Sequence, residues 1–239
     1  MSHLSKSAVV SACSLALALA ACGGGTSALA PAPETYDLQA AYTHLIAAGL
    51  TSNVALSGSV PINGVTAAFT GTGTLVLSPG VTGTFNGATE LGQTTTISGT
   101  IMASGQSSQY SSSVTDYFDP KTYAFQGELS ANEYDVVQTP FSYPTSITGG
   151  SGGVLGTVSR YTDSTMSMPI GTAQLSYTTT AAATAGGPAS VQLIDKLYDN
   201  LNNLTETDTT TYSISSSNVL AFLSATVSST SGSLTVTPK

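Results

Sequence analysis

Glu128, Glu133 and Asp135 stand close together in this chain, with Asp116 and Asp119 shortly before them. A pair of such groups can hydrolyse glycosides, one carboxyl acting as acid and the other as base or nucleophile. Sugar-cleaving sites usually add aromatic platforms, and the sequence has no tryptophan. The plainer expectation is that these carboxylates face solvent on strands and turns. Asp195, Asp199, Asn200, Asn202 and Asn203 gather hard oxygens around a later turn, and Asp116 and Asp119 do so in the first half. Calcium takes ligands of that kind. However, no glycine stands at the sixth position of an EF-hand loop, and Asn and Asp are common in turns because their side chains bond nearby backbone. Turn chemistry is expected, with no metal.

Other mechanisms lack their parts. A Ser-His-Asp set needs a histidine able to take the serine proton. His44 falls on the polar flank of an expected helix, and no serine occupies a Gly-x-Ser-x-Gly elbow. Neither a Gly-x-x-x-x-Gly-Lys loop nor a dinucleotide fingerprint is present, and the glycines mark turns and small strand positions. No catalytic residue and no cofactor are expected. Tyr110, Tyr117, Tyr123, Tyr134, Tyr143, Tyr161, Tyr177, Tyr198 and Tyr212 are spread over the strands. Such residues can line a ligand-binding concavity. The plainer expectation is strand filling, with hydroxyls at the solvent edge.

Composition narrows the partners. Only 8% of residues are charged, against about 25% in an average soluble protein. Beyond residue 22 the cations are Lys121, Arg160, Lys196 and Lys239, against 13 acidic residues. No basic cluster exists to bind nucleic acid or anionic lipid. Disorder needs low hydrophobicity together with high net charge, whereas 41% of this chain is apolar. Ser, Thr and Gly fill most of the remainder, which suits strands whose exposed faces are hydroxylated.

The elements follow from periodicity. Leu38, Ala41, Tyr42, Leu45 and Ala48 recur at helical spacing after Asp37, a good N-cap, and before Gly49, a good terminator. A helix over 37–49 is expected. From Ser52 onward the pattern is of strands, beginning with 54–60 and a Pro61-Ile62-Asn63-Gly64 turn. Further strands are expected over 71–78, 81–85, 94–103, 107–118, 122–129, 134–138, 154–161, 165–169, 173–180, 204–215, 219–227 and 233–237. Residues 190–204 fit either a helix or a hairpin, and the Thr-rich run 207–212 favours the hairpin. The proline- and glycine-rich stretch 140–153 separates two β-rich halves, 35–145 and 150–239. Residues 71–78 can be laid on 171–178, and 114–119 on 193–199, as a weak internal repeat. The expected fold is mainly antiparallel β, a twisted sheet or open half-barrel with one N-terminal helix.

The N-terminus supplies the most specific motif. Lys6 and His3 precede an apolar run from Ala8 to Ala21, shorter than the roughly 20 residues of a spanning helix. The run ends in Leu19-Ala20-Ala21-Cys22 and is followed by Gly23-Gly24-Gly25. These residues resemble the lipobox of bacterial lipoproteins. The resemblance implies a signal peptide over 1–21, acylation of Cys22, and a flexible tether over 22–34. Cys13 would then be discarded and Cys22 blocked, leaving one histidine and no thiolate for zinc. Glycine at position 23, rather than aspartate, implies the outer membrane. As a whole the chain resembles the uncharacterised envelope lipoproteins of Gram-negative bacteria. The function expected is a non-catalytic binding or structural role at a membrane reached through the lipid, with an unknown small molecule or envelope protein as partner. A periplasmic carrier of an apolar ligand and a carbohydrate-active hydrolase are the alternatives.

Overall fold

The computed structural model describes residues 34–62, 65–184 and 186–239. The signal segment, Cys22 and the Asn63-Gly64 pair lie outside the described residues. In chain order the elements are β1 (Thr35–Tyr36), α1 (Leu38–Ala48), β2 (Leu50–Ile62), β3 (Val65–Leu77), β4 (Val81–Phe85) and β5 (Ala88–Ala103). There follow β6 (Gln106–Phe118), β7 (Phe125–Ser130), β8 (Tyr134–Phe141), β9 (Ile147–Thr148), β10 (Gly152–Tyr161) and β11 (Pro169–Thr180). The chain ends with β12 (Ala189–Asp199), β13 (Leu204–Ile214), β14 (Leu220–Ser229) and β15 (Gly232–Pro238).

The wall is antiparallel throughout. Strands pair in the order β3-β2-β15-β14-β13-β12-β11-β10-β8-β7-β6-β5, and β5 pairs with β3 again. That last pairing closes a 12-stranded barrel, where the sequence left the sheet open on one side. β4 forms a side hairpin on β5, and β1 pairs with β9 in a separate ribbon. Residues 190–204 form the hairpin β12–β13. One expected strand is absent. Residues 165–168 belong to a loop in which Asp163 accepts the backbone N–H and the hydroxyl of Thr165 at 2.9 and 2.6 Å.

Alternation decides what faces in. On β13, Tyr212 and Ile214 are buried; with them point Glu206, Asp208 and Thr210, while Thr205, Thr207, Thr209, Thr211 and Ser213 point out. Hydroxyls on the outer face bond across strands, as between Thr94 and Thr115 at 2.8 Å and Ser59 and Ser233 at 3.1 Å. This accounts for a chain with so few charges. A membrane-spanning barrel carries an apolar band on its outer face, whereas β13 presents threonine there. No described helix is long and apolar enough to cross a membrane.

α1 plugs one end of the barrel. Asp37 accepts the Ala40 N–H at 2.8 Å as N-cap, and Gly49, at φ 69°, ends the helix. Leu38, Ala41, Leu45 and Ile46 are buried against the wall residues Val54, Leu56, Leu75, Leu77 and Ile214. The last carbonyls of the helix are satisfied by the wall: Gln93 donates to Leu45 at 3.1 Å and the Gly80 N–H to Ile46 at 2.7 Å. The opposite end is a rim of turns, among them those joining β5 to β6, β7 to β8, β10 to β11 and β12 to β13.

Closure depends on Gly73 and Gly99, which face each other where β3 meets β5. A Cβ on Gly99 would lie 2.3 Å from the Thr72 carbonyl oxygen, so the two backbones approach too closely for any side chain. Gly99→Val is expected to cost about 1–3 kcal/mol by overpacking, lowering the melting temperature by about 2–4 °C per kcal/mol. An unchanged melting temperature would show that this corner has room to spare.

Candidate functional site in the barrel lumen

The lumen is acidic. Gln93, Asp116, Glu128, Asp135 and Arg160 are successive cross-strand partners on β5, β6, β7, β8 and β10. Each of the last four shares a face with buried wall residues such as Phe118, Val137 and Val158, so the row points inward. A second group stands on β12 and β13, where Asp195 faces Asp208 directly and Leu197 faces Glu206. Like charges directly opposite one another destabilise a sheet. This wall contains three such pairs: Asp116 with Glu128, Glu128 with Asp135, and Asp195 with Asp208. Rules broken this consistently mark a place kept for something other than stability.

Arg160 is the single cation in this group. Its Nε pairs with Glu133, from the β7–β8 turn, and lies 4.0 Å from Asp135 Oδ2. Its Nη1 donates to the Tyr198 carbonyl at 3.5 Å. The remaining acids have no such partner. Oδ1 of Asp135, of Asp195 and of Asp208 are all buried without a hydrogen-bond donor.

Burial dominates their titration, because a carboxylate removed from water is disfavoured. It pushes Asp116, Asp195 and Asp208 up to about 7. Burial and then Glu133 push Asp135 to about 9, against the opposing pull of Arg160. Glu128 is raised well above the carboxylate range by burial and by Asp116 and Asp135, and Glu206 is raised by burial. At neutral pH the cluster therefore shares protons among its acids and can donate hydrogen bonds as well as accept them.

The floor of the lumen is aromatic. Tyr42 of α1 stacks on Tyr143 with ring centroids 4.0 Å apart, and Tyr212 meets Tyr42 edge-on at 6.3 Å. Burial raises the phenol of each. Above this floor lies a cavity of about 110 Å³, lined by Tyr143, Leu155, Leu175, Leu193, Asp195 and Asp208 among others. A water-sized group needs about 10–15 Å³, so the cavity admits a molecule of several heavy atoms. A larger hollow of about 520 Å³ lies outside the wall, between the β4–β5 hairpin and the β7–β8 turn. There Phe85 stacks on Tyr117 at 4.3 Å, and Glu133 lines the edge.

Two sequence expectations need correction. Asp116, Glu128 and Asp135 do not face solvent; they point into the lumen, and Glu133 reaches Arg160 there. Tyr143 and Tyr212 are buried at the floor rather than at a solvent edge. Asp119 does not join its neighbours: its Oδ1 accepts the N–H groups of Lys121 and Thr122, which holds its carboxyl below the usual range. Asp199 likewise accepts the N–H groups of Leu201 and Asn203, closing the β12–β13 turn. Asp195, which precedes that turn in the same run of hard oxygens, lies on the lumen wall instead. Among the described residues no group of three His, Cys, Asp or Glu side chains is placed to hold a metal ion. His44 is exposed on α1. Sequence reasoning missed Arg160, Glu206 and Asp208. For Asp195 a signal existed: Leu193 and Leu197 flank it at two-residue spacing, the mark of an inward face.

No family model matches the chain, and no curated protein matches it. Among solved structures, a DUF1329 family protein from Desulfovibrio piger aligns with a TM-score of 0.26 at 8% identity, over 84% of this chain and 88% of that one.

Proposed function

We propose that this chain is a non-catalytic lipoprotein of the cell envelope that carries a small ligand inside its barrel. The observation that carries this reading is the cavity above the tyrosine floor, with leucines on one side and unpartnered carboxylate oxygens on the other. A pocket of apolar walls with a few convergent polar groups is the usual form of a small-molecule site. The anchor rests on the lipobox residues 19–22, with Gly23 favouring the outer membrane.

A hydrolase would use the same carboxylates differently. Glycoside cleavage needs one carboxyl protonated while its companion stays ionised as base or nucleophile. In this lumen burial moves Asp116, Glu128, Asp135, Asp195 and Asp208 all in one direction, upward.

Native mass spectrometry of the chain, extracted from its own membranes in mild detergent, tests both parts. The expected mass is that of a polypeptide beginning at an acylated Cys22, with an adduct released on activation. Leu193→Trp, which fills the cavity, removes the adduct and leaves the acyl mass. An unacylated N-terminus overturns the anchor, and an adduct that survives Leu193→Trp overturns the lumen as its seat.

A further inference from the structure

We propose that the lumen site selects an organic cation: an alkylammonium whose charged head lies between Asp195 and Asp208 and whose carbon chain lies against Leu155, Leu175 and Leu193. This rests on the reading of the lumen as a ligand chamber and adds the chemical class of the ligand.

Charge is the first ground. Asp116, Glu128, Glu133, Asp135, Asp195, Glu206 and Asp208 surround the lumen, and Arg160 alone opposes them there. Its guanidinium reaches Glu133 and Asp135 and no other carboxylate within salt-bridge distance. An anionic ligand would meet no cation in the lining of the cavity.

Unfilled hydrogen-bond capacity is the second and independent ground. Asp135, on the same acidic wall but outside the lining of the cavity, is only 6% exposed, and its Oδ1 has no donor. The facing pair Asp195 and Asp208 each present a buried Oδ1 in the same condition, and both line the cavity. Buried acceptors in native proteins nearly always have a partner. An ammonium brings three donors and no acceptor, so it can serve both aspartates at once. The ring of Tyr143 lies on the same cavity, where an aromatic face attracts a cation.

The rest of the cavity excludes a metal. Calcium takes six to eight oxygens and magnesium a near-ideal octahedron, whereas much of this wall is leucine. Size sets the chain length: about 110 Å³ accepts a short alkyl body rather than a phospholipid tail. The upward displacement of Asp195 and Asp208 adds a consequence. Seating the cation requires them to ionise, so binding releases protons and strengthens as pH rises through about 7.

The test is calorimetric titration of the full chain, freed of adducts, at pH 8 with n-hexylammonium, n-hexanol, hexanoate and calcium chloride. Hexylammonium is expected to bind at least about tenfold more tightly than hexanol, as loss of a buried charge partner implies. Hexanoate and calcium are expected not to bind in the lumen. Asp195→Asn with Asp208→Asn keeps the shape, loses the preference for ammonium and retains the weak binding of hexanol. Should that pair fail to fold, Leu193→Phe serves instead and blocks hexylammonium and hexanol together. Equal binding of hexanol and hexylammonium overturns the cation selection and leaves the chamber standing. Tighter binding of calcium than of hexylammonium also overturns it. Absence of binding by either six-carbon probe overturns both the selection and the chamber.

Discussion

Raising the pH from 5 to 8 is expected to destabilise this protein, and Asp195→Asn with Asp208→Asn to restore most of the loss. The direction follows from proton linkage. In the unfolded chain both aspartates titrate near 3.8, and in the barrel near 7. Between those values the folded state holds protons that the unfolded state has released, so stability falls as pH rises. Below about 4 the contribution to folding is fully present. Above about 7 the barrel must hold the charges, and the loss is complete. Between pH 5 and 8 one such carboxyl accounts for about 3 kcal/mol. Because the acids interact, their losses do not add, and a fall in melting temperature of roughly 5–10 °C is expected. The asparagine pair, having nothing to titrate, should melt higher than wild type at pH 8 and nearly alike at pH 5. Thermal unfolding of both proteins across this range provides the check. A wild type that gains stability toward pH 8 would contradict the account.

Replacement of Arg160 is the second large effect. Arg160→Met removes the one cation of the lumen and leaves Glu133 and Asp135 beside each other without compensation. Breaking a buried pair from one side costs about 3–5 kcal/mol, visible in urea unfolding at pH 8. Removing the acids together with the arginine, as Arg160→Met with Glu133→Gln and Asp135→Asn, should recover most of the loss. A single Arg160→Met variant within about 1 kcal/mol of wild type at pH 8 would place the pair among surface ion pairs of little consequence.

Local structure was largely readable from the chain. Asp37, the 3.6-residue recurrence of Leu38, Ala41 and Leu45, and Gly49 placed α1 to within a residue at each end. Turn residues such as Pro79-Gly80 and Asp199-Asn200 separated most strands, and the Thr-rich run 207–212 settled the hairpin at 190–204. Long-range pairing was not readable. Closure requires β3 to find β5, which rests on Gly73 meeting Gly99 rather than on any periodicity. The acidic lumen was hidden for a related reason. A strand with one polar face normally turns that face to water, and on that rule Asp116, Glu128 and Asp135 belong in solvent. Here both faces are polar, hydroxyls outside and acids inside, and sequence alternation alone cannot distinguish them. Glu206 and Asp208, set among threonines on β13, offered no contrast at all. Arg160 stood out only as one of few cations, with its partners 25 or more positions earlier in the chain.

The most direct measurement is an NMR titration of the carboxyl carbons, read residue by residue on isotopically labelled protein. A lumen that shields its acids from bulk water predicts midpoints near 7 for Asp116, Asp195 and Asp208, while Asp119 and Asp199 in their turns titrate below the ordinary carboxylate range. Midpoints near 4 for all of these aspartates would mean that the acids stand in water, and that no desolvated chamber exists to receive a cation.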